Sequence, residues 1–195
     1  MSQQATTKER ILDVTEDLFK RYGYTGTGLK QVVERANAPF GSLYHHFPGG
    51  KEALGEAVVR RAGQMYGELL LAILDAAGDP VDGLRDCFDG GAMVLEQSDW
   101  VDPCPIGTVA LEKSSSSEPL RVACADVFEA WIVLATGRFT ALGIDEPAAR
   151  ELAITFVAAL QGAFMLSRAM HSTEPMEAVG AQQIAALRAA IEASA

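Results

Sequence analysis

Apolar residues recur at steps of three and four along most of the chain, a period that is typical of α-helices with one buried face. The first stripe follows Thr6 and Glu9, which have the spacing of an N-terminal capping box, and it ends before Gly23, a residue that suits a helix C-cap. Its apolar members are Ile11, Leu12, Val14, Leu18 and Phe19. The pattern therefore predicts a first helix between Thr6 and Gly23.

Breaks in the periodicity divide the rest of the chain into eight more predicted helices. Glycine, proline, asparagine and serine supply these breaks, because they favour turns and disfavour helix interiors. The predicted ranges are 28–36, 40–47, 51–77, 81–97, 105–113, 119–142, 146–171 and 175–194. We find no convincing series of strands, so the sequence predicts an all-α fold of about nine helices.

The second and third predicted helices are short and are joined by a tight turn. Asn37 tolerates the left-handed conformation that such a turn requires, and Pro39 has a fixed φ that suits the first position of a helix. Leu43 and Phe47 lie four residues apart and would anchor the third helix to the first two. Residues 28–47 are therefore a candidate helix-turn-helix.

The distribution of charge supports this location. The 195-residue chain has a net charge of −10, but residues 1–51 carry seven basic and five acidic side chains, whereas the remainder carries nine basic and 21 acidic ones. Only the first quarter is suited to a polyanion, and we expect the acidic remainder to lie away from DNA. Hydrophobic residues make up 49% of the chain, which allows a sizeable core.

Composition and spacing argue against several other classes of protein. There is no Ser-His-Asp triad, paired-carboxylate site or phosphate loop, so an enzyme is not expected. Cys87, Cys104 and Cys124 are widely spaced and lack the CxxC pairs of a zinc ribbon, although Cys104 is the first candidate for a redox-sensing thiol. No cofactor or metal is predicted, and His171 is isolated in the sequence. The N-terminus has no apolar signal-peptide core, and a cytoplasmic protein without a membrane span is expected.

The N-terminal motifs resemble those of a known family. Gly23-Tyr24, Thr27, Leu29 and Val32, then Gly41-Ser42-Leu43-Tyr44-His45-His46-Phe47, then Lys51-Glu52-x-Leu54, resemble the DNA-binding domain of the TetR family over residues 6–55. Residues 38–52, together with Cys104-Pro105-Ile106-Gly107 and Leu111-Glu112, are similar to its LmrA/YxaF branch. The resemblance implies a helix-turn-helix domain over residues 1–50 and a helical ligand-binding and dimerisation domain over residues 51–195. It also implies a repressor that a small apolar or aromatic effector releases from a near-palindromic DNA operator.

The same resemblance assigns DNA contacts by position. Tyr44, His46 and Lys51 would bind phosphates, with Thr27 close by. Base or groove contacts would come from Lys30, Gln31, Phe40, Gly41, Ser42 and His45. Two positions depart from the family pattern, because Phe40 replaces a residue that is often Lys and Gly28 replaces Ser or Thr. A phosphate or base contact at position 40 is therefore lost, or it is replaced by an apolar contact with a thymine methyl group.

Aromatic, sulfur-containing and a few polar side chains in the middle of the chain are candidates for the effector pocket. Most such residues simply fill helical cores, but tryptophans often border pockets because their N–H groups need partners. The candidates are Phe88, Met93, Trp100, Cys104, Thr108, Glu112, Phe128, Trp131 and Phe164.

The last two predicted helices carry the candidate dimer interface. Ala158 and Gly162 lie four residues apart and allow close helix approach, whereas Ile184, Leu187 and Ile191 form one stripe. Phe156 and Met165 complete the set. Both stripes could instead pack inside one subunit, but the resemblance implies a four-helix interface in a homodimer. A two-fold dimer would place its recognition helices about 34–36 Å apart, as successive major grooves require.

Two alternatives stay open at this point. Within the same fold, the chain could be an activator or a ligand-independent regulator of transcription. From a different class, it could be an all-helical carrier of a small molecule whose DNA-binding domain has lost its function. DNA binding, tested on the chain's own upstream DNA with and without aromatic compounds, separates these readings.

Overall fold

The computed structural model of the chain describes residues 5–102 and 104–194. These residues form nine α-helices and no strand, which confirms the all-α prediction, and every helix boundary falls within two residues of its predicted position. The helices are α1 (Thr7–Tyr22), α2 (Leu29–Arg35), α3 (Phe40–His46), α4 (Gly50–Ala76), α5 (Pro80–Gln97), α6 (Pro105–Lys113), α7 (Glu118–Thr140), α8 (Glu146–Met170) and α9 (Glu174–Ser194).

Helix ends follow the local signals in the sequence. Thr6 and Glu9 form the predicted capping box, in which each side chain binds the other residue's backbone N–H. Gly23 ends α1 with a φ of 72°, and Asn37 follows α2 with a φ of 46°. Pro39 is the N-cap of α3 rather than its first helical residue, because its ψ of 144° is extended.

The contacts between helices divide the chain into two compact units. The first unit contains the described residues of Met1–Gly63 and Cys104–Val127. In it α1 packs against α2, α3 and α6, and α2 packs against α3. Its fully buried side chains include Ile11, Leu18, Phe19, Leu43, Leu54 and Leu120. The DNA-binding candidates all lie in this unit.

The second unit contains the described residues of Gln64–Pro103 and Phe128–Ala195. Helices α5, α8 and α9 pack against one another in it. Its fully buried side chains include Leu84, Phe88, Leu95, Phe156, Met176 and Leu187. The units are defined by packing and not by function, so the predicted functional division between residues 50 and 51 stays a prediction.

Helix α8 has an unusually apolar composition. By length and composition alone it could cross a membrane, since its most apolar window has a mean hydropathy of 1.5, and only 28% of that window is buried within the chain. The expectation from the sequence was a chain without a membrane span. Because α8 packs on α5 and α9 along one side, its remaining apolar surface needs another explanation.

Candidate nucleic-acid interface

The third helix is held by its apolar side. Leu43 is fully buried and Phe47 nearly so, and they pack in the same unit as Val32 and Val33 of α2. Burial of these side chains on one side of a seven-residue helix leaves the opposite side open. The sequence predicted this anchoring from the spacing of Leu43 and Phe47.

The turn between α2 and α3 is held by Arg10, a residue of α1 that the sequence patterns did not indicate. The Arg10 Nε donates a hydrogen bond to the Ala36 carbonyl oxygen at 3.1 Å, and Nη2 lies 3.5 Å from the Asn37 carbonyl oxygen. Within the turn, the Ala38 N–H donates to the Val33 carbonyl oxygen at 3.0 Å. Arg10 therefore ties the first helix to the turn, a relationship between residues 26 positions apart that no local pattern reveals.

The open side of α3 is aromatic and lightly polar. Phe40 and Tyr44 are 44% and 48% exposed, and their ring centroids are 5.9 Å apart. His45 is exposed next to the half-buried His46, and a Cβ added at Gly41 would have no neighbour within 4 Å. At Gly41 a base edge can therefore approach the backbone of the helix closely. Ser42, also predicted as a contact, is half-buried.

Two predicted DNA contacts, Lys30 and Gln31, belong to α2, the helix that precedes α3. Lys30 is exposed, and its Nζ is 3.8 Å from a carboxylate oxygen of Glu34. An exposed pair of this kind contributes only about 0–1 kcal/mol, so a phosphate can compete for the ammonium group. Gln31 is half-buried.

Thr27 requires a correction. Its side chain is buried, and its hydroxyl donates to the Gly23 carbonyl oxygen at 2.7 Å. The hydroxyl therefore holds the end of the α1–α2 turn and is not presented to a phosphate. The resemblance placed Thr27 near the DNA by sequence position, which cannot reveal the direction of a side chain.

Lys51 is only partly available. Its Nζ lies 3.5 Å from the Thr25 carbonyl oxygen and 4.5 Å from the centroid of the Tyr24 ring. Burial lowers the pKa of this ammonium group, and the neighbouring charge of Lys113 acts in the same direction, whereas the charge of Glu112 opposes it. Lys51 must leave these partners, at least in part, before it can bind a phosphate.

The nine pocket candidates are divided between the two units. Phe88, Met93, Trp100, Phe128, Trp131 and Phe164 belong to the second unit, whereas Cys104, Thr108 and Glu112 belong to the first. Glu112 requires a correction, because its carboxylate accepts a hydrogen bond from the Thr25 backbone N–H at 2.7 Å. It therefore serves the α1–α2 turn. The Thr108 hydroxyl donates to the Cys104 carbonyl oxygen at 3.1 Å.

The six candidates in the second unit have different surroundings. Phe88 is buried against Phe156 and is a core residue, while Met93 is exposed. Trp131 is mostly buried, with its ring centroid 5.8 Å from that of Phe128. Phe164 is half-buried, and its ring tip would contact a Cβ at Gly91.

Trp100 has a partner, His171, that is far from it in the sequence. Its ring stacks on that of His171, with centroids 5.6 Å apart and an angle of 14° between the planes. Both residues have a positive φ, 62° for Trp100 and 49° for His171, so each ends or follows a helix in a left-handed turn. His171 lies 71 positions from Trp100, which is why it looked isolated in the sequence.

The dimer candidates also separate into two groups. Phe156 and Leu187 are 1% exposed and belong to the core of the second unit, which corrects their assignment to a subunit interface. Met165 is 58% exposed and Ala158 is also exposed, whereas Gly162, Ile184 and Ile191 are half-buried. The periodicity of these two helices did not separate their inward from their outward faces.

No group of three or more metal-ligating side chains that could hold a metal ion occurs within residues 5–102 and 104–194. In particular, His45 and His46 pack ring to ring, with centroids 5.0 Å apart, and have no such group around them.

Two family models match the chain. The model of bacterial regulatory proteins of the tetR family matches residues 11–58, and that of the LmrA/YxaF-like transcriptional regulator C-terminal domain matches residues 80–182. The chain is 32% identical over 182 residues to the uncharacterized HTH-type transcriptional regulator YxaF of Bacillus subtilis (strain 168), covering 93% of this chain and 95% of that protein. It is 31% identical over 170 residues to the HTH-type transcriptional regulator LmrA of the same strain, covering 87% and 90%.

Solved structures agree with this relationship. The reduced form of NemR from E. coli is 26% identical, with a TM-score of 0.79 over 90% of this chain and 95% of that one. A TetR regulator from Legionella pneumophila shares the fold, with a TM-score of 0.83 at 24% identity over 93% and 97% of the two chains. The chain belongs to the TetR family of bacterial transcriptional regulators, in its LmrA/YxaF-like branch.

Proposed function

We propose that this regulator is a homodimeric repressor that binds a near-palindromic operator and leaves it when a small apolar or aromatic effector binds. The observation that carries the DNA-binding part is the open side of α3, where Phe40, Gly41, Tyr44 and His45 are exposed while Leu43 is buried. The repressor role is supported by relatives. DhaR from Mycobacterium sp. (strain GP1) is named a transcriptional repressor and is 27% identical over 179 residues, covering 87% of this chain and 86% of that protein.

The DNA contacts divide by side-chain chemistry. Phe40, Gly41, Ser42 and His45 would lie along base edges, because they are on or next to the open side of α3. Tyr44, His46 and Lys51 would bind phosphates, and Lys30 and Gln31 of α2 would contact bases or the edge of the groove. These residues lie in, or one position beyond, the predicted DNA-binding segment 1–50.

The low basicity of this surface has a measurable consequence. Each neutralised phosphate contributes about −0.9 to the slope of log affinity against log salt concentration. Since Lys30 and Lys51 both have intramolecular partners, few cations are available per subunit. The salt dependence should therefore be shallow for a DNA-binding protein of this size.

Dimerisation is supported by the outer surface of α8. Ile154, Met165, Leu166 and Met170 are each more than two-fifths exposed in the single chain. An apolar surface of this extent on a helix that already packs on α5 and α9 is typical of an interface between subunits. Two copies of α8 and α9 would then form a four-helix interface.

The effector part rests on the aromatic side chains of the second unit. Trp100 with His171 and Trp131 with Phe128 supply flat apolar surfaces, which suit planar aromatic compounds. We propose that the effector stabilises a conformation in which the recognition helices no longer match successive major grooves.

The test uses the full chain and two kinds of DNA. The chain is incubated with the DNA upstream of its own coding sequence and with a random-sequence duplex pool, and bound duplexes are recovered and sequenced. We expect a near-palindromic sequence, a complex of two chains per duplex, and a weaker complex when a planar aromatic compound is added. Failure to enrich any sequence would contradict the DNA-binding part, whereas an affinity that no compound changes would contradict only the effector part.

A further inference from the structure

A carboxylate from α6 lies against the turn that connects α1 to α2. The Glu112 Oε2 accepts a hydrogen bond from the Thr25 backbone N–H at 2.7 Å. At the start of the turn, Gly23 has a φ of 72°, and a Cβ at that position would overlap the Glu112 carboxylate. The carboxylate therefore contacts both the first residue and the middle of the turn, 87 positions away from Thr25 in the sequence.

Tyr24, which lies between Gly23 and Thr25 in the turn, is also held by its neighbours. The Tyr24 ring is nearly buried and has two ammonium groups near it, Lys51 Nζ at 4.5 Å and Lys113 Nζ at 5.4 Å from its centroid. After α6, the Ser117 hydroxyl donates to Glu52 Oε1 of α4 at 2.6 Å, next to Lys51 in the sequence. Helix α6 itself contacts the turn through the hydrogen bond of Glu112 to the Thr25 backbone and through Lys113 beside the Tyr24 ring.

The turn leads directly into the helix-turn-helix. The Thr27 N–H donates to the Tyr24 carbonyl oxygen at 3.2 Å, and the Thr27 hydroxyl donates to the Gly23 carbonyl oxygen at 2.7 Å. Gly28 then begins α2 without a side-chain cap, so the start of that helix depends on the turn for its position. Because α2 packs on α3, a displaced turn would displace the side of α3 that meets DNA.

We infer that Glu112 is a positioning residue for DNA binding: by accepting the Thr25 N–H, its carboxylate fixes the α1–α2 turn and with it the open side of α3. This inference rests on the proposed function, since it assumes that α3 meets DNA. The charge of Glu112 by itself would weaken DNA binding and not support it. A carboxylate in the DNA-binding unit repels phosphates, so its removal should strengthen DNA binding unless the carboxylate has a positioning role.

The two roles predict opposite changes in DNA affinity when the carboxylate is removed, so the affinity of a Glu112 variant distinguishes them. Affinity is measured for the duplex that the wild-type chain itself enriches from a random-sequence pool. Glu112→Ala removes the acceptor, whereas Glu112→Gln removes the charge but retains an amide oxygen that can accept the Thr25 N–H. We expect Glu112→Ala to weaken binding by about tenfold, as loss of a hydrogen bond to a charged group allows, and Glu112→Gln to stay within about threefold of wild type. Glu96→Ala, which removes an exposed carboxylate from α5, is the charge-matched control.

A second measurement does not depend on any variant. In the wild-type chain without DNA, hydrogen exchange at the Thr25 amide should be slower than in an unstructured peptide, although Thr25 is exposed. Fast exchange at Thr25 would overturn the inference, as would unchanged or tighter binding by a folded Glu112→Ala, or a loss in Glu112→Gln equal to that in Glu112→Ala. Absence of any enriched duplex with the wild type would instead contradict the proposed function itself.

Discussion

The rings of Phe40 and Tyr44 lie side by side on the open side of α3, with their centroids 5.9 Å apart and their planes inclined by 32°. Each ring is nearly half exposed, and Gly41 between them adds no side chain. Tyr44 therefore supports Phe40 from one side, and the free edge of the phenyl ring is available to an apolar group. The only apolar group on the base edges of the major groove is the C5-methyl of thymine.

We predict that Phe40 contacts a thymine methyl group in the operator. Replacing single thymines by uracil in the enriched duplex should weaken wild-type binding by about fourfold at the contacted position, since burial of one methyl-sized group contributes about 0.8 kcal/mol. The same replacement should have no effect on Phe40→Ala. Tyr22→Ala removes a comparably exposed aromatic ring from α1 and is the control. If Phe40→Ala keeps its full sensitivity to uracil, another residue makes the contact.

Arg10 should make a large contribution to the stability of the folded chain. Its guanidinium group donates to the carbonyl oxygens of Ala36 and Ala5 at 3.1 Å each, and Ala36 immediately precedes the turn of the helix-turn-helix. We expect Arg10→Ala to lower the free energy of unfolding by about 1.5–3 kcal/mol, the usual contribution of hydrogen bonds to a charged group. Chemical denaturation measures this change.

Two comparisons make the prediction for Arg10 specific. Arg10→Lys should recover little of the loss, because one ammonium group cannot reproduce the fork of a guanidinium. Arg85→Ala removes an exposed ion pair with Asp82 and should cost less than about 1 kcal/mol. If Arg10→Ala and Arg85→Ala lower the free energy of unfolding equally, the contacts of Arg10 with the turn contribute no more than an exposed ion pair.

The sequence predicted the elements of this protein better than their contacts. Helix ends were predictable because local groups determine them, as at the Thr6 capping box and at Gly23 and Asn37. The periodicity also identified Leu43 as an anchor. In contrast, the bond of Arg10 to Ala36, that of Glu112 to Thr25 and the stack of Trp100 on His171 each join residues far apart in sequence. These contacts depend on how the helices pack against one another, and the periodicity of a single helix carries no information about that packing.

Phe156 is predicted to act on folding and not on association. It is 1% exposed, and its ring meets that of Phe88 edge to face with centroids 5.8 Å apart. Removing such a side chain loses its burial and leaves a cavity, so Phe156→Ala should lower the free energy of unfolding by about 3–5 kcal/mol. A subunit-interface role would give a different result: a change in the concentration dependence of association with nearly unchanged monomer stability.

Met165 is predicted to show the opposite behaviour. It is 58% exposed on α8, between Ile154 and Met170 along the same helix. Met165→Glu would bury a charge in the interface that we propose, so the dimer should dissociate at micromolar concentrations while the helical circular dichroism is retained. Sedimentation measures the association state. Leu111→Glu, at an even more exposed apolar residue of α6, is the control and should remain dimeric.

The three thiols should differ sharply in their reactivity. Burial raises the pKa of Cys87 to about 12, helped by the charge of Asp86, and burial raises that of Cys124 to about 11. Cys104 is only half-buried. Since the thiolate is the reactive form, a disulfide reagent at pH 7.5 should modify Cys104 first and reach Cys87 and Cys124 only as fast as the chain opens. Mass spectrometry of the labelled chain distinguishes the three sites.

The same two raised pKa values determine how stability depends on alkaline pH. The ordinary thiol pKa is 9.0, so above about pH 9 the unfolded chain has lost protons that Cys87 and Cys124 still hold in the folded state. The unfolded state then binds fewer protons, and the free energy of unfolding must fall as the pH rises from about 9 towards 11. In Cys87→Ala this fall should be smaller, because one of the two thiols with a raised pKa is absent. Identical alkaline profiles for wild type and Cys87→Ala would show that Cys87 does not titrate differently in the two states.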